Sequence, residues 1–100
     1  MSDQVLVYGV GIAGMATIRA LMQRGIDFIA VDDHLSETQR RALADIDVAA
    51  IESPDDDLLK KLIANSAFVA PAPGIAEHHR VIIESLRQGK EMKTELDLAY

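Results

Sequence analysis

Apolar residues in this chain fall into short solid runs, separated by longer stretches in which they recur every three or four positions. The solid runs cover 5–8, 27–31, 48–51 and 66–70. Each is too short for a helix and sits beside Gly, Asp or Pro, the pattern of a buried strand. The intervening stretches read as helices. Gly14, Ile18 and Leu21 share one face of the first, Arg19, Gln23 and Arg24 face solvent, and Gly25 stands at the expected cap after its end. Ser36 is placed to cap a second helix that carries Leu43 inward and runs to about Ala44.

For a third helix, Ser53 is the expected N-cap and Pro54 the first helical residue. Asp55, Asp56 and Asp57 complement the helix dipole, and Leu58, Leu59, Leu62 and Ile63 form the inner stripe. The alternative use of three adjacent aspartates, a metal site, is disfavoured because neighbours diverge around a helix axis. A fourth helix is expected to open at Gly74, with Ile75, His79, Ile82, Ile83 and Leu86 at helical spacing and Gly89 past its end. Residues 90–93 read as a short edge strand. Thr94-Glu-Leu-Asp97 looks like a capping box with Asp in the place of Glu, so another helix is expected to begin there. A helix beginning so near Tyr100 points to a fragment of a longer protein.

Strand and helix thus alternate along the whole chain. That alternation predicts one α/β domain over 1–100, Rossmann-like and three-layered, with a parallel sheet of about five strands and helices on both faces. Its ligand crevice should lie at the C-terminal ends of the strands, beside the first, where the strand order reverses.

Composition narrows the class. The chain has 100 residues, 49% hydrophobic but only 4% aromatic, so the core is built from Ala, Val, Ile and Leu. A net charge of −6 with no dense basic stripe argues against a nucleic-acid partner. The absence of cysteine excludes disulfides and thiolate metal sites. No apolar run is long enough for membrane insertion, and the N-terminus lacks the basic and apolar regions of a signal peptide, so a cytoplasmic location is expected.

The chemistry concentrates at the first turn. Gly9, Gly11 and Gly14 are spaced G-x-G-x-x-G between a strand and a helix. The first glycine permits the tight turn, the second lets an anion approach bare backbone, and the third lets helix and strand pack closely. The helix start behind them offers free N–H groups and the positive end of a dipole. Asp32 ends the second strand, where an acid can take ribose hydroxyls, so an NAD(P)-binding domain of an oxidoreductase or regulatory protein is one reading. Asp32 and Asp33 that simply end a strand are the plainer one. His78 and His79 point about 100° apart on a helix, a poor start for a metal site. His79 is expected on a half-buried face and His78 in solvent.

The last third adds a resemblance. Phe68-Val-Ala-Pro-Ala-Pro-Gly-Ile75, a helix, and then Lys93-Thr-Glu-Leu-Asp-Leu-Ala-Tyr100 resemble the N-terminal domain of the Mur ligases, and most nearly the branch that adds D-glutamate. The glycine turn, the Asp-ending second strand, the Pro-Gly-Ile turn and the acidic final segment occur in the family's order. The L-alanine-adding branch shares the Gly14-Met15 pair but lacks the Pro-Gly-Ile turn, and ranks second. The resemblance implies a domain that holds UDP-N-acetylmuramoyl-L-alanine by its uridine diphosphate, for peptidoglycan precursor synthesis. By position, the backbone of Gly11, Ile12 and Ala13 would meet the diphosphate. Asp32, Asp33 and His34 would lie at the uracil and ribose, and Pro73 and Gly74 would close the far side. Ala13 stands where relatives often carry Thr or Ser, His34 where Arg is common, and Ala72 where Ser is usual.

The resemblance also implies ATP and Mg2+ for the full-length ligase, a central ATPase domain in cis, and a C-terminal domain for the amino acid. No catalytic residue is expected in this chain, which has no G-x-x-x-x-G-K-[ST] loop. In the full enzyme ATP would phosphorylate the muramoyl-alanine carboxylate, and the D-glutamate amine would attack the acyl phosphate.

Overall fold

A computed structural model describes residues 4–93. The strands are β1 (Val5–Tyr8), β2 (Phe28–Asp32), β3 (Ala50–Glu52) and β4 (Phe68–Pro71). The helices are α1 (Ile12–Gln23), α2 (Glu37–Asp45), α3 (Asp56–Ala64) and α4 (Arg80–Arg87). All strand pairs are parallel, in the order β3-β2-β1-β4. The chain steps outward from β1 through β2 to β3, then returns across β1 to β4. Because strand crossovers are right-handed, that reversal sends the later helices to the opposite face.

Burial follows the two faces. Val5 and Val7 of β1 pack with Met15, Ile18 and Leu21 of α1 and Leu43 of α2. Leu6 and Tyr8 pack on the other side with Leu59, Leu62 and Ile63 of α3 and Val81 of α4. β1 is therefore covered on both faces and paired on both edges, and all of its residues are buried. A central parallel strand of this kind reads in sequence as an unbroken apolar run.

The expected three-layer α/β architecture is present, with corrections at element ends. The sheet has four strands among the described residues, not about five. Residues 90–93 contribute one bridge, Met92 opposite Val69, with hydrogen bonds from Val69 N to Glu91 O and from Lys93 N to Val69 O. α3 is capped by Asp55, whose carboxylate accepts from Leu58 N at 2.8 Å, and not by Ser53. Ser53 instead adopts φ 49° and donates its N–H to Asp32 O, turning the chain at the end of β3. α4 begins at Arg80 and not after Gly74. His79 is its N-cap, and turns occupy the intervening residues. The expected capping box at Thr94 lies outside the described residues. α2 starts as expected at Ser36, in a capping box closed by Gln39.

Candidate functional site

The C-terminal ends of the strands carry the glycine turn. After Tyr8 the backbone enters the left-handed region at Gly9, with φ 101°. A Cβ there would lie 2.8 Å from the Cβ of Ala72, so β1 and the segment after β4 meet too closely for a side chain. Gly14 is fixed more tightly still, since a Cβ would fall 1.8 Å from the carbonyl oxygen of Gly9. Gly11 is different. It is the N-cap of α1, makes no side-chain cap, and a Cβ on it would touch nothing within 4 Å. The fold requires glycine at 9 and 14, while at 11 it leaves bare backbone facing open space. The first N–H groups of a helix have no intrahelical acceptor, so Ile12, Ala13 and Gly14 present donors beside that gap.

The acids at the end of β2 divide the work. Asp32 Oδ2 accepts from Val10 N at 2.8 Å and Oδ1 from His34 N at 3.3 Å, so this carboxylate braces the glycine turn from beneath. Asp33 is held by a side chain from the neighbouring strand β1 and by one from the N-cap of α4. Its Oδ1 accepts from the Tyr8 hydroxyl at 2.5 Å, and its Oδ2 lies 2.6 Å from His79 Nε2. His79 Nδ1 accepts from Val81 N at 3.0 Å, which assigns the ring proton to Nε2 and makes it the donor to Asp33. The rings of Tyr8 and His79 meet edge to face, 5.0 Å apart. Arg80 joins from α4, 3.9 Å from Asp33 and 3.2 Å from Asp56. Burial alone would raise the Asp33 carboxyl, but the Tyr8 and His79 hydrogen bonds and the Arg80 charge outweigh it and hold Asp33 below the usual carboxylate range. Burial, joined by the negative Asp33, pushes the Tyr8 hydroxyl well above its ordinary value.

His34 is 83% exposed, with Nδ1 3.5 Å from Glu52. Glu52 also accepts from Leu35 N and Arg40, and the Leu35 N–H leads the contacts that keep its carboxyl low. On one side of the α1 start, Val10, Gly11, Ile12 and Met15 line a hollow of about 430 Å³ with Ser36 and Gln39 of the α2 start. Ile12 is 95% exposed at its mouth. On the other side Ala13, Gly14 and Pro73 line a small hollow of about 40 Å³ with Ala72 and Lys93. A Cβ on Gly74 would meet nothing.

Every residue expected at the site thus lies at this edge, and the glycine turn, Asp32 and Pro73 come together around the α1 start. Tyr8, His79 and Arg80 were not expected there. A tyrosine closing a buried apolar run carries one hint, because its hydroxyl needs a partner. The helical spacing of His79 with Ile82, Ile83 and Leu86 predicts a helix face and gives no sign of the cap it forms.

The family model described as "Mur ligase MurD-like, N-terminal domain" matches residues 3–94. The chain belongs to the MurD-like N-terminal domain family. Among curated proteins, it is 32% identical to the UDP-N-acetylmuramoylalanine–D-glutamate ligase of Rubrobacter xylanophilus, over 95% of this chain and 21% of the relative. It is 33% identical to the ligase of that name from a Synechococcus strain, over 100% of this chain and 21% of the relative. The Aquifex aeolicus ligase is 29% identical over 95% of this chain and 18% of the relative. The MurD-like domain described here therefore spans about a fifth of the length of these ligases. Among its described residues no helix is long and apolar enough to cross a membrane, and no three His, Cys, Asp or Glu side chains group as metal ligands.

Proposed function

We propose that this chain is the substrate-holding N-terminal domain of a ligase that adds D-glutamate to UDP-N-acetylmuramoyl-L-alanine, and that it grips the uridine diphosphate part. One observation carries the reading: Gly11 leaves open space above the α1 start where the fold itself has no use for a glycine. A diphosphate suits unmet N–H donors and a helix dipole without needing a side-chain cation. The relatives' name supplies the substrate, UDP-N-acetylmuramoylalanine. The diphosphate would lie on the backbone of Gly11, Ile12 and Ala13, behind the turn that Gly9 and Gly14 permit. The nucleoside would lie toward Asp32, Asp33 and His34, with Pro73 and Gly74 as the opposite wall.

ATP and Mg2+ would serve parts of the ligase outside these residues, with the central ATPase domain as partner in cis. The chain alone would position substrate in the cytoplasm and catalyse nothing. Titration of the 15N-labelled chain with UDP-N-acetylmuramoyl-L-alanine, and separately with NADH, tests this. The expected result is saturable shifts of the amides at 11–14 with the UDP-sugar and none with NADH. Response to NADH alone would overturn the reading in favour of a dinucleotide domain.

A further inference from the structure

Among the described residues, Lys93 is the only charged one lining the small hollow between α1 and the end of β4. The other walls come from Ala13, Gly14 and Thr17 of α1 and from the alanines and prolines at 70–73. At about 40 Å³ the hollow has room for an ammonium group or one water, and is too small for a sugar or a base. The backbone of Lys93 is pinned, because its N–H donates to Val69 O at 2.9 Å beside β4. Its ammonium is not. Nζ rests 4.5 Å from the centre of the Phe68 ring and 4.0 Å from Glu91 Oε1, too far for a hydrogen bond, and the side chain is 44% exposed. At such exposure both contacts are weak. The other cations near the strand ends are engaged, Arg40 with Glu52 and Arg80 with Asp33 and Asp56.

We infer that the Lys93 ammonium swings off Phe68 into this hollow and donates to the outer phosphate of the bound nucleotide, the one farther from the nucleoside. This assignment rests on the nucleotide reading above and extends it, since that reading uses backbone donors alone. The sheet order sets which phosphate Lys93 meets. β2, which ends in Asp32, lies on one side of β1, and β4 with Lys93 lies on the other. A diphosphate that crosses the α1 start from the β2 side therefore ends beside Lys93. Lysine suits that place, as a compact charge with three donors on a flexible stem. A phosphate oxygen also offers it a charge-assisted hydrogen bond, which neither the ring nor the distant Glu91 supplies.

Calorimetry with UDP and with UMP tests the assignment on the chain, on Lys93→Gln, and on Arg19→Gln, which removes the same charge farther along α1. Lys93→Gln should weaken UDP about tenfold, the scale of one hydrogen bond between charged groups, and change UMP by less than about twofold. Arg19→Gln should leave both nucleotides within about twofold of the parent, because a distant exposed charge is screened. Equal losses toward UDP and UMP in Lys93→Gln would make Lys93 structural or a source of bulk charge, and would overturn the assignment. So would a loss of UDP affinity in Arg19→Gln as large as that in Lys93→Gln. An unchanged UDP affinity in Lys93→Gln would overturn it as well, and would leave the diphosphate on backbone donors alone. Binding of neither nucleotide by the unaltered chain would remove the nucleotide reading and this one with it.

Discussion

Asp32, the last residue of β2, accepts the backbone N–H of Val10 at 2.8 Å, so an acid on one strand supports the turn that leaves its neighbour. The bond holds Val10 while Gly9 and Gly11 on either side carry the turn into α1. Replacing Asp32 by Ala would leave a partly buried N–H without its acceptor. Chemical denaturation should show a loss of about 1–3 kcal/mol, with Asn, which keeps one acceptor oxygen, losing less. An Ala variant as stable as the parent would mean that the turn needs no brace.

The glycines at 14 and 11 should respond oppositely to Ala. At 14 the added methyl collides with the backbone carbonyl of Gly9, and neither can yield without moving β1 from α1. That variant should be destabilised by more than about 4 kcal/mol or fail to fold. At 11 the methyl meets no protein atom, so circular dichroism should report a fold within about 1 kcal/mol of the parent. On the proposed reading UDP binding should nevertheless weaken at least about tenfold, because the methyl would stand where the diphosphate is proposed to lie.

Asp33 and Glu52 both titrate below the ordinary carboxylate range in the folded chain. As pH falls through the ordinary values near about 4, the unfolded chain takes up these protons first, so stability drops until the folded values are passed. The urea midpoint should therefore fall as pH is lowered from about 6 to 3. Asp33→Asn should flatten part of that slope. Parallel slopes for the variant and the parent would remove Asp33 from the linkage.

The turn between β3 and α3 offers a test of which residue caps. Asp55→Ala should cost about 1 kcal/mol, as for a lost N-cap. Ser53→Gly should gain about 0.5–1 kcal/mol, because Ser53 sits at positive φ and glycine relieves that strain. The reverse ranking in thermal melts would restore Ser53 as the cap.

Much of this fold was legible from the chain because glycine punctuates it at points where geometry leaves no choice. Gly9 and Gly14 marked the β1–α1 turn, and the solid apolar runs marked strands buried on both faces. The misses share one cause: local pattern cannot reveal which candidate wins a long-range partner. Ser53 and Asp55 are both good caps in isolation, but the N–H of Ser53 is taken by the carbonyl of Asp32, which bends the chain before the helix can start. Ile75 suits a helical stripe, yet it packs against the core from a turn, and α4 waits for His79. The partners of Asp33 lie on β1 and α4, and no spacing in the sequence announces that meeting.

The sheet order has a kinetic consequence. β1, β2 and β3 are joined by short crossovers and can assemble progressively, whereas β4 must return to pair Val5 with Phe68 and Tyr8 with Pro71. Contacts this distant close late, after the entropy of the intervening loop has been overcome. Until then β1 has an open edge, Gly9 has no Ala72 against it, and His79 has not reached Asp33. The strand ends around Gly9 are therefore expected to form late in folding, and on the proposed reading the recovery of UDP binding during refolding should lag the recovery of helical circular dichroism.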